Sequence, residues 1–113
     1  MVNRTFLQID LQNLFYEARR RDEKIDFEKI WDSICSRESE FLTEATVYLI
    51  RSQDFDSDKF ETKLKKWGYK IQAKNAHRVI KDGRVFYKQT NLDVEITVDC
   101  MTKMDSFDKC SGI

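Results

Sequence analysis

The chain has 113 residues, enough for one domain around one modest core. A hydrophobic fraction of 41% and a charged fraction of 35% exclude a chain disordered by composition, and no apolar run approaches the roughly 20 residues that span a bilayer. Three cysteines (Cys35, Cys100, Cys110) lack metal-ligand spacing, and three glycines with no proline leave no phosphate-cradling loop. The N-terminus has no signal-peptide core, so buried free thiols in a cytoplasmic protein are expected.

The formal net charge is zero, but it is unevenly spread. Residues 59–90 carry ten Lys/Arg against Glu61 and Asp82, between two acidic ends. Such a pattern suits attraction of a polyanion. A solvated helix face and a charged hairpin account for the same pattern, and charge alone favours that account.

In chain order, residues 4–10 form a short apolar segment expected as a buried strand. Residues 13–21 are expected as a helix, with Leu14, Phe15 and Ala18 on one face and Arg19-Arg20-Arg21 near its end. Asp26 is placed to cap a helix over 27–38, where Phe27, Ile30, Trp31 and Ile34 follow helical spacing. Thr43–Ile50 is rich in β-branched and aromatic residues, as a second strand requires. Asp56 or Ser57 precedes a third helix carrying Phe60, Leu64 and Trp67 on one stripe, with Gly68 as its stop. Tyr69–Ala73 is expected as a third strand. Residues 77–88 are expected as a hairpin turning at Asp82-Gly83.

Residues 92–104 fit two periods. Leu92, Val94, Ile96 and Val98 alternate with polar residues, whereas Val94, Val98 and Met101 are spaced for one helix face. A strand of that length would be long, so a helix is expected, with Thr90 and Asp93 resembling a capping box. The order β-α-α-β-α-β, then a hairpin, argues for an α/β fold with a mostly parallel sheet.

Open α/β sheets place ligands at the carboxyl ends of their strands. Asp10 lies at such an end and Asp93 at a helix start, so the two can meet above the sheet edge. Several acids converging on Mg²⁺ or Mn²⁺ would activate water against a phosphodiester. Each also has a plainer reading: Asp10 as a turn or cap residue, Asp93 as a charge stabilising its own helix terminus. Asp99 lies roughly 240° around the helix from Asp93, so only a bent or offset geometry aims both at one ion. Glu95 fits a surface acid better. Asn13 either holds Asp10, touches a phosphate, or caps the helix. His77 has no partner at readable spacing. Trp31 and Trp67 fit core positions; Phe86 and Tyr87 alternate on a basic strand, where one can face solvent and stack on a base, but core or cross-strand packing is the favoured role for both.

Three segments together resemble the NYN domains, a branch of the PIN-like nuclease superfamily related to LabA-like proteins. They are Phe6-Leu7-Gln8-Ile9-Asp10-Leu11-Gln12-Asn13-Leu14, Lys88-Gln89-Thr90-Asn91-Leu92-Asp93-Val94, and Val98-Asp99-Cys100-Met101. The strand at Thr46–Ile50 and the passage Lys63–Tyr69 fit the same order, so the resemblance runs over essentially the whole chain. It implies a three-layer α/β sandwich and metal-dependent cleavage of RNA. Carried across, Asp10 and Asp93 are expected as Mg²⁺ or Mn²⁺ ligands, Asp99 as a further catalytic acid and Asn13 as a supporting polar residue. Lys63, Lys66, Lys74, Arg78, Arg84 and Lys88 are expected along the RNA backbone.

Relatives usually continue, after a segment like Phe107-Asp108-Lys109-Cys110, into a strand and a Ser-Gly-Asp-Ser-Asp-Phe type motif with another acid. Ser111-Gly112-Ile113 does not match it, because no Asp follows and the expected strand has not yet run, so residues 1–113 are expected as one NYN domain lacking its C-terminal part. An uncovered sheet edge, uncovered apolar helix faces, self-association and weakened metal affinity are the expected consequences. A non-catalytic RNA-binding or protein-interaction module keeping the fold is the second expectation.

Overall fold

The apolar N-terminal strand lies inside the sheet, flanked on both sides. The computed structural model describes residues 3–36, 40–51, 57–88, 91–104, 106–107 and 109–113. In chain order the elements are β1 (Asn3–Asp10), α1 (Leu11–Arg20), α2 (Phe27–Cys35), β2 (Glu40–Arg51), α3 (Asp58–Lys66) and β3 (Lys70–Asn75). There follow β4 (His77–Lys81), β5 (Arg84–Lys88), α4 (Asp93–Lys103) and β6 (Lys109–Gly112). Four strands form one sheet in the order β3-β2-β1-β6, every pairing parallel. The expected mixed α/β fold with a mostly parallel central sheet is what the chain adopts.

Strand alternation divides the sheet into two unlike faces. Leu7, Ile9, Ala45, Val47 and Leu49 share one face and form the core with Leu11, Phe27, Leu64 and Tyr69. Helices α1, α2 and α3 cover that face, and Trp31 meets Tyr69 edge-on at 5.1 Å. The opposite face presents Phe6, Gln8 and Asp10 of β1 beside Glu44, Thr46 and Tyr48 of β2. It is far more polar, and α4 covers it.

Local signals act as their chemistry requires. Asp26 Oδ1 accepts from Lys29 N at 3.1 Å, and Gly68 takes φ +100° after α3. Asp82 and Gly83 both have positive φ, the geometry of a tight hairpin turn. Ser57 precedes α3 but does not cap it, because its hydroxyl donates to Glu61 Oε2 at 2.6 Å. Asp56 and Thr90 lie outside the described residues.

Three expectations are corrected. Within residues 92–104 the expected helix forms over Asp93–Lys103, but the Val94, Val98 and Met101 stripe faces solvent, with Val94 69% exposed. The sheet-facing stripe is Leu92, Ile96, Asp99, Cys100 and Lys103, whose polar members find partners on the polar sheet face. The thiols are not buried: Cys35 is exposed and Cys100 and Cys110 are half-buried. Finally, a strand does run before Ile113. Residues Lys109–Gly112 pair with β1 as β6, and Ile113 N donates to Gln8 O at 2.9 Å.

Candidate active site

Parallel pairing brings the carboxyl ends of β1, β2 and β3 to one edge of the sheet. Asp10 closes β1 there, in register with Tyr48 of β2. Its carboxylate does two local things at once. Oδ1 accepts from Asn13 N at 3.4 Å as the α1 cap, and Oδ2 accepts from Asn13 Nδ2 at 3.0 Å. Asn13 therefore holds Asp10, one of the roles its spacing allows. The carboxylate is half-exposed and keeps lone pairs to spare.

Asp93 opens α4, and its backbone N–H donates to Asn91 Oδ1 at 3.3 Å. Its side chain is exposed and accepts no side-chain hydrogen bond among the described residues. Two residues on, Glu95 pairs with Lys74 of β3 at 3.1 Å. That contact ties the first turn of α4 to the carboxyl end of β3, the same edge that carries Asp10.

Asp99 is placed differently. It faces the sheet and accepts from the Tyr48 hydroxyl at 2.8 Å. Gln8 lies at the centre of this network. Its Nε2 donates to the Tyr48 oxygen at 2.9 Å and to Ile96 O of α4 at 2.8 Å, while its Oε1 accepts from Cys110 Sγ at 3.0 Å. Burial and the Asp99 charge push the Tyr48 hydroxyl up, against the Gln8 hydrogen bond, so it stays a donor at neutral pH. Burial and the neighbouring Cys100 raise the Cys110 thiol to about 12. At the far end of α4, burial opposes ionisation of Glu44, yet Lys70 and Lys103 hold its carboxyl below the usual range.

Spacing and motif in the sequence do not point to Gln8 or Tyr48. The available signal is a polar side chain inside an apolar strand, sharing strand parity with Asp10. The basic residues do not form one strip. Lys63 and Lys66 are exposed on α3, on the other side of the sheet from α4. Lys74 lies at the carboxyl edge and Arg84 is exposed on β5. Arg78 and Lys88 belong to β4 and β5, and their side chains, like that of His77, lie outside the described residues.

Among the described residues no three His, Cys, Asp or Glu side chains converge to hold a metal ion. The donor set therefore does not fit a closed protein cage. It fits a hard cation held by one or two carboxylates, with water and substrate phosphate completing the shell, as Mg²⁺ is commonly held.

The NYN domain family model matches residues 4–110. The chain belongs to the NYN domain family. This NYN domain has the nuclease-like fold that the three sequence segments imply, and such nucleases are generally dependent on divalent metal. It is also similar in fold to a Vibrio parahaemolyticus protein of unknown function seen in a crystal structure. There the TM-score is 0.75 at 21% identity, over 98% of this chain and 65% of that one. The NYN domain thus spans just under two thirds of that neighbour's length. No curated protein matches significantly. Among the described residues no helix is long and apolar enough to cross a membrane.

Proposed function

We propose that this NYN domain cleaves RNA by metal-dependent phosphodiester hydrolysis at the carboxyl edge of its sheet. One observation carries the reading: in a chain of this family, Asp10 ends an inner parallel strand with its carboxylate half-exposed and oriented by Asn13. Asp93 at the start of α4 is the second carboxylate available at that edge.

Asp10 and Asp93 would hold Mg²⁺ or Mn²⁺, which when bound supplies Lewis-acid polarisation of the phosphate and a nucleophilic water. The chain's own residues do the rest. Asn13 fixes the Asp10 side chain, so no rotamer freedom is lost when a ligand arrives. The Gln8–Tyr48–Asp99 network clamps α4 to the sheet and sets where Asp93 stands. Because its carboxylate is committed to Tyr48, Asp99 acts as a positioning residue. Lys74 neutralises Glu95 beside the edge and leaves it less repulsive to RNA.

Calorimetric titration with Mn²⁺ tests the site. Wild type should bind, and Asp10→Asn and Asp93→Asn should each weaken binding about ten-fold or more, as loss of one charged ligand from a small set requires. Equal heats from all three proteins would refute the assignment.

A further inference from the structure

The β4–β5 hairpin belongs to none of the three layers of the sandwich. It forms its own two-stranded sheet, and its strands pack chiefly on each other. Its base is anchored at the carboxyl edge, where Ala76 N donates to Arg51 O at 2.7 Å, just past the end of β3. From β5 the chain returns to Asp93 within a few residues. The hairpin therefore stands beside the proposed carboxylate site.

Its surface has an unusual composition. Val79, Ile80, Val85 and Phe86 are all exposed, Phe86 at 51%. Isolated two-stranded hairpins are marginal in water, and bare apolar pairs on both faces of one, Val79 with Phe86 and Ile80 with Val85, call for a covering partner. Charge indicates which partner. From 77 to 88 the sequence holds Arg78, Lys81, Arg84 and Lys88 against Asp82 alone. A second copy of the same hairpin would meet like charge, whereas a polyanion with flat apolar groups would meet both halves of the surface.

The register sharpens this. Val79 pairs with Phe86 and Lys81 with Arg84, and in an antiparallel ladder pairs two residues apart share a face. One face therefore sets a phenyl ring and a valine about 7 Å from a pair of cations nearer the turn. Base faces are free to stack only where RNA is unpaired.

We propose that the β4–β5 hairpin is an arm that takes an unpaired stretch of RNA, stacking a base on Phe86 while Lys81 and Arg84 hold adjacent phosphates. The inference rests on the RNA-cleavage reading above and adds to it a binding element: an arm, outside the carboxylate site, that leads the strand toward that edge.

The test is fluorescence anisotropy of labelled oligouridine, and of an RNA duplex, in excess EDTA, where cleavage cannot contribute. Wild type should bind oligouridine more tightly than duplex. Phe86→Ala should weaken oligouridine binding about ten-fold, with duplex binding unchanged and Phe86→Trp restoring affinity. Lys81→Gln with Arg84→Gln should reduce the salt slope of binding by about 1.4. Far-ultraviolet circular dichroism and melting should match wild type in each variant. Unchanged oligouridine affinity in Phe86→Ala and in the double variant would overturn the proposal, as would no binding by wild type. Equal losses on oligouridine and duplex would overturn the stacking role. A Phe86→Ala effect on sedimentation alone would assign the arm to self-association and overturn it too. Metal-dependent cleavage abolished by Asp10→Asn would still support the nuclease reading in any of these cases.

Discussion

Replacing Tyr48 with phenylalanine removes one oxygen from the interface that holds α4 on the sheet. That oxygen donates to the Asp99 carboxylate at 2.8 Å and accepts from Gln8 at 2.9 Å. A hydrogen bond to a charged group contributes about 1.5–3 kcal/mol. Gln8 Nε2 keeps Ile96 O as a partner, so its loss adds little. The expected cost of Tyr48→Phe is therefore about 2 kcal/mol. With an unfolding entropy of about 2.1 cal/mol/K per residue over a chain of this length, the melting temperature should fall by about 8 °C. Urea unfolding should show a lower midpoint with an unchanged slope. The cycle with Asp99→Ala should be strongly non-additive, because both changes break the same bond. If the clamp sets Asp93, Tyr48→Phe should also slow RNA cleavage while leaving the fold intact. A stability change below about 0.5 kcal/mol, the range of ordinary surface substitutions, would refute the clamp.

Other outcomes follow from groups away from the edge. Glu61 is only 5% exposed and takes two hydrogen bonds from Arg51, at 3.1 and 2.6 Å, and one from Ser57. Arg51, then Ser57, hold its carboxyl below its ordinary value of 4.5 against burial. Glu61→Gln should cost about 2 kcal/mol, less than a fully buried pair because Arg51 is half-exposed. A lowered folded pKa means the contribution is complete above pH 4.5 and is lost as pH falls through the folded value. The gap between wild type and variant should accordingly be flat at neutral pH and close in acid; a gap that widens in acid would contradict the ion pair. Thr5 Oγ1 is buried with no hydrogen-bond partner among the described residues, so Thr5→Val should stabilise by about 1 kcal/mol in urea titration. Cys110, with its thiol raised to about 12 and half-buried, should alkylate at pH 8 far more slowly than exposed Cys35, as peptide mass mapping will read.

Much of the fold was legible because its signals are local. Asp26, Gly68 and Asp82-Gly83 each satisfy a backbone requirement within a few residues, and each acts as its chemistry predicts. Asp10 and Asn13 were legible for the same reason: the cap and the side-chain bond span three residues. What escaped depended on which element covers which face. The sequence of α4 carries two competing stripes, and hydrophobicity alone selects Val94, Val98 and Met101. The polar sheet face beneath the helix reverses that choice, since Tyr48 and Glu44 need Asp99 and Lys103. Gln8 was hidden likewise, because its three partners lie 40, 88 and 102 residues away. The even-handed basic count over 59–90 gave no sign that the sheet would separate Lys63 and Lys66 from Lys74.

The Asp10 edge is proposed as a metal-dependent RNA-cleaving site. Incubating wild type and Asp10→Asn with a single-stranded RNA in Mn²⁺, and again in excess EDTA, tests it most directly. Wild type should cleave only with Mn²⁺, and Asp10→Asn should not cleave in either buffer. Cleavage that survives EDTA, or that Asp10→Asn performs as well as wild type, would contradict it.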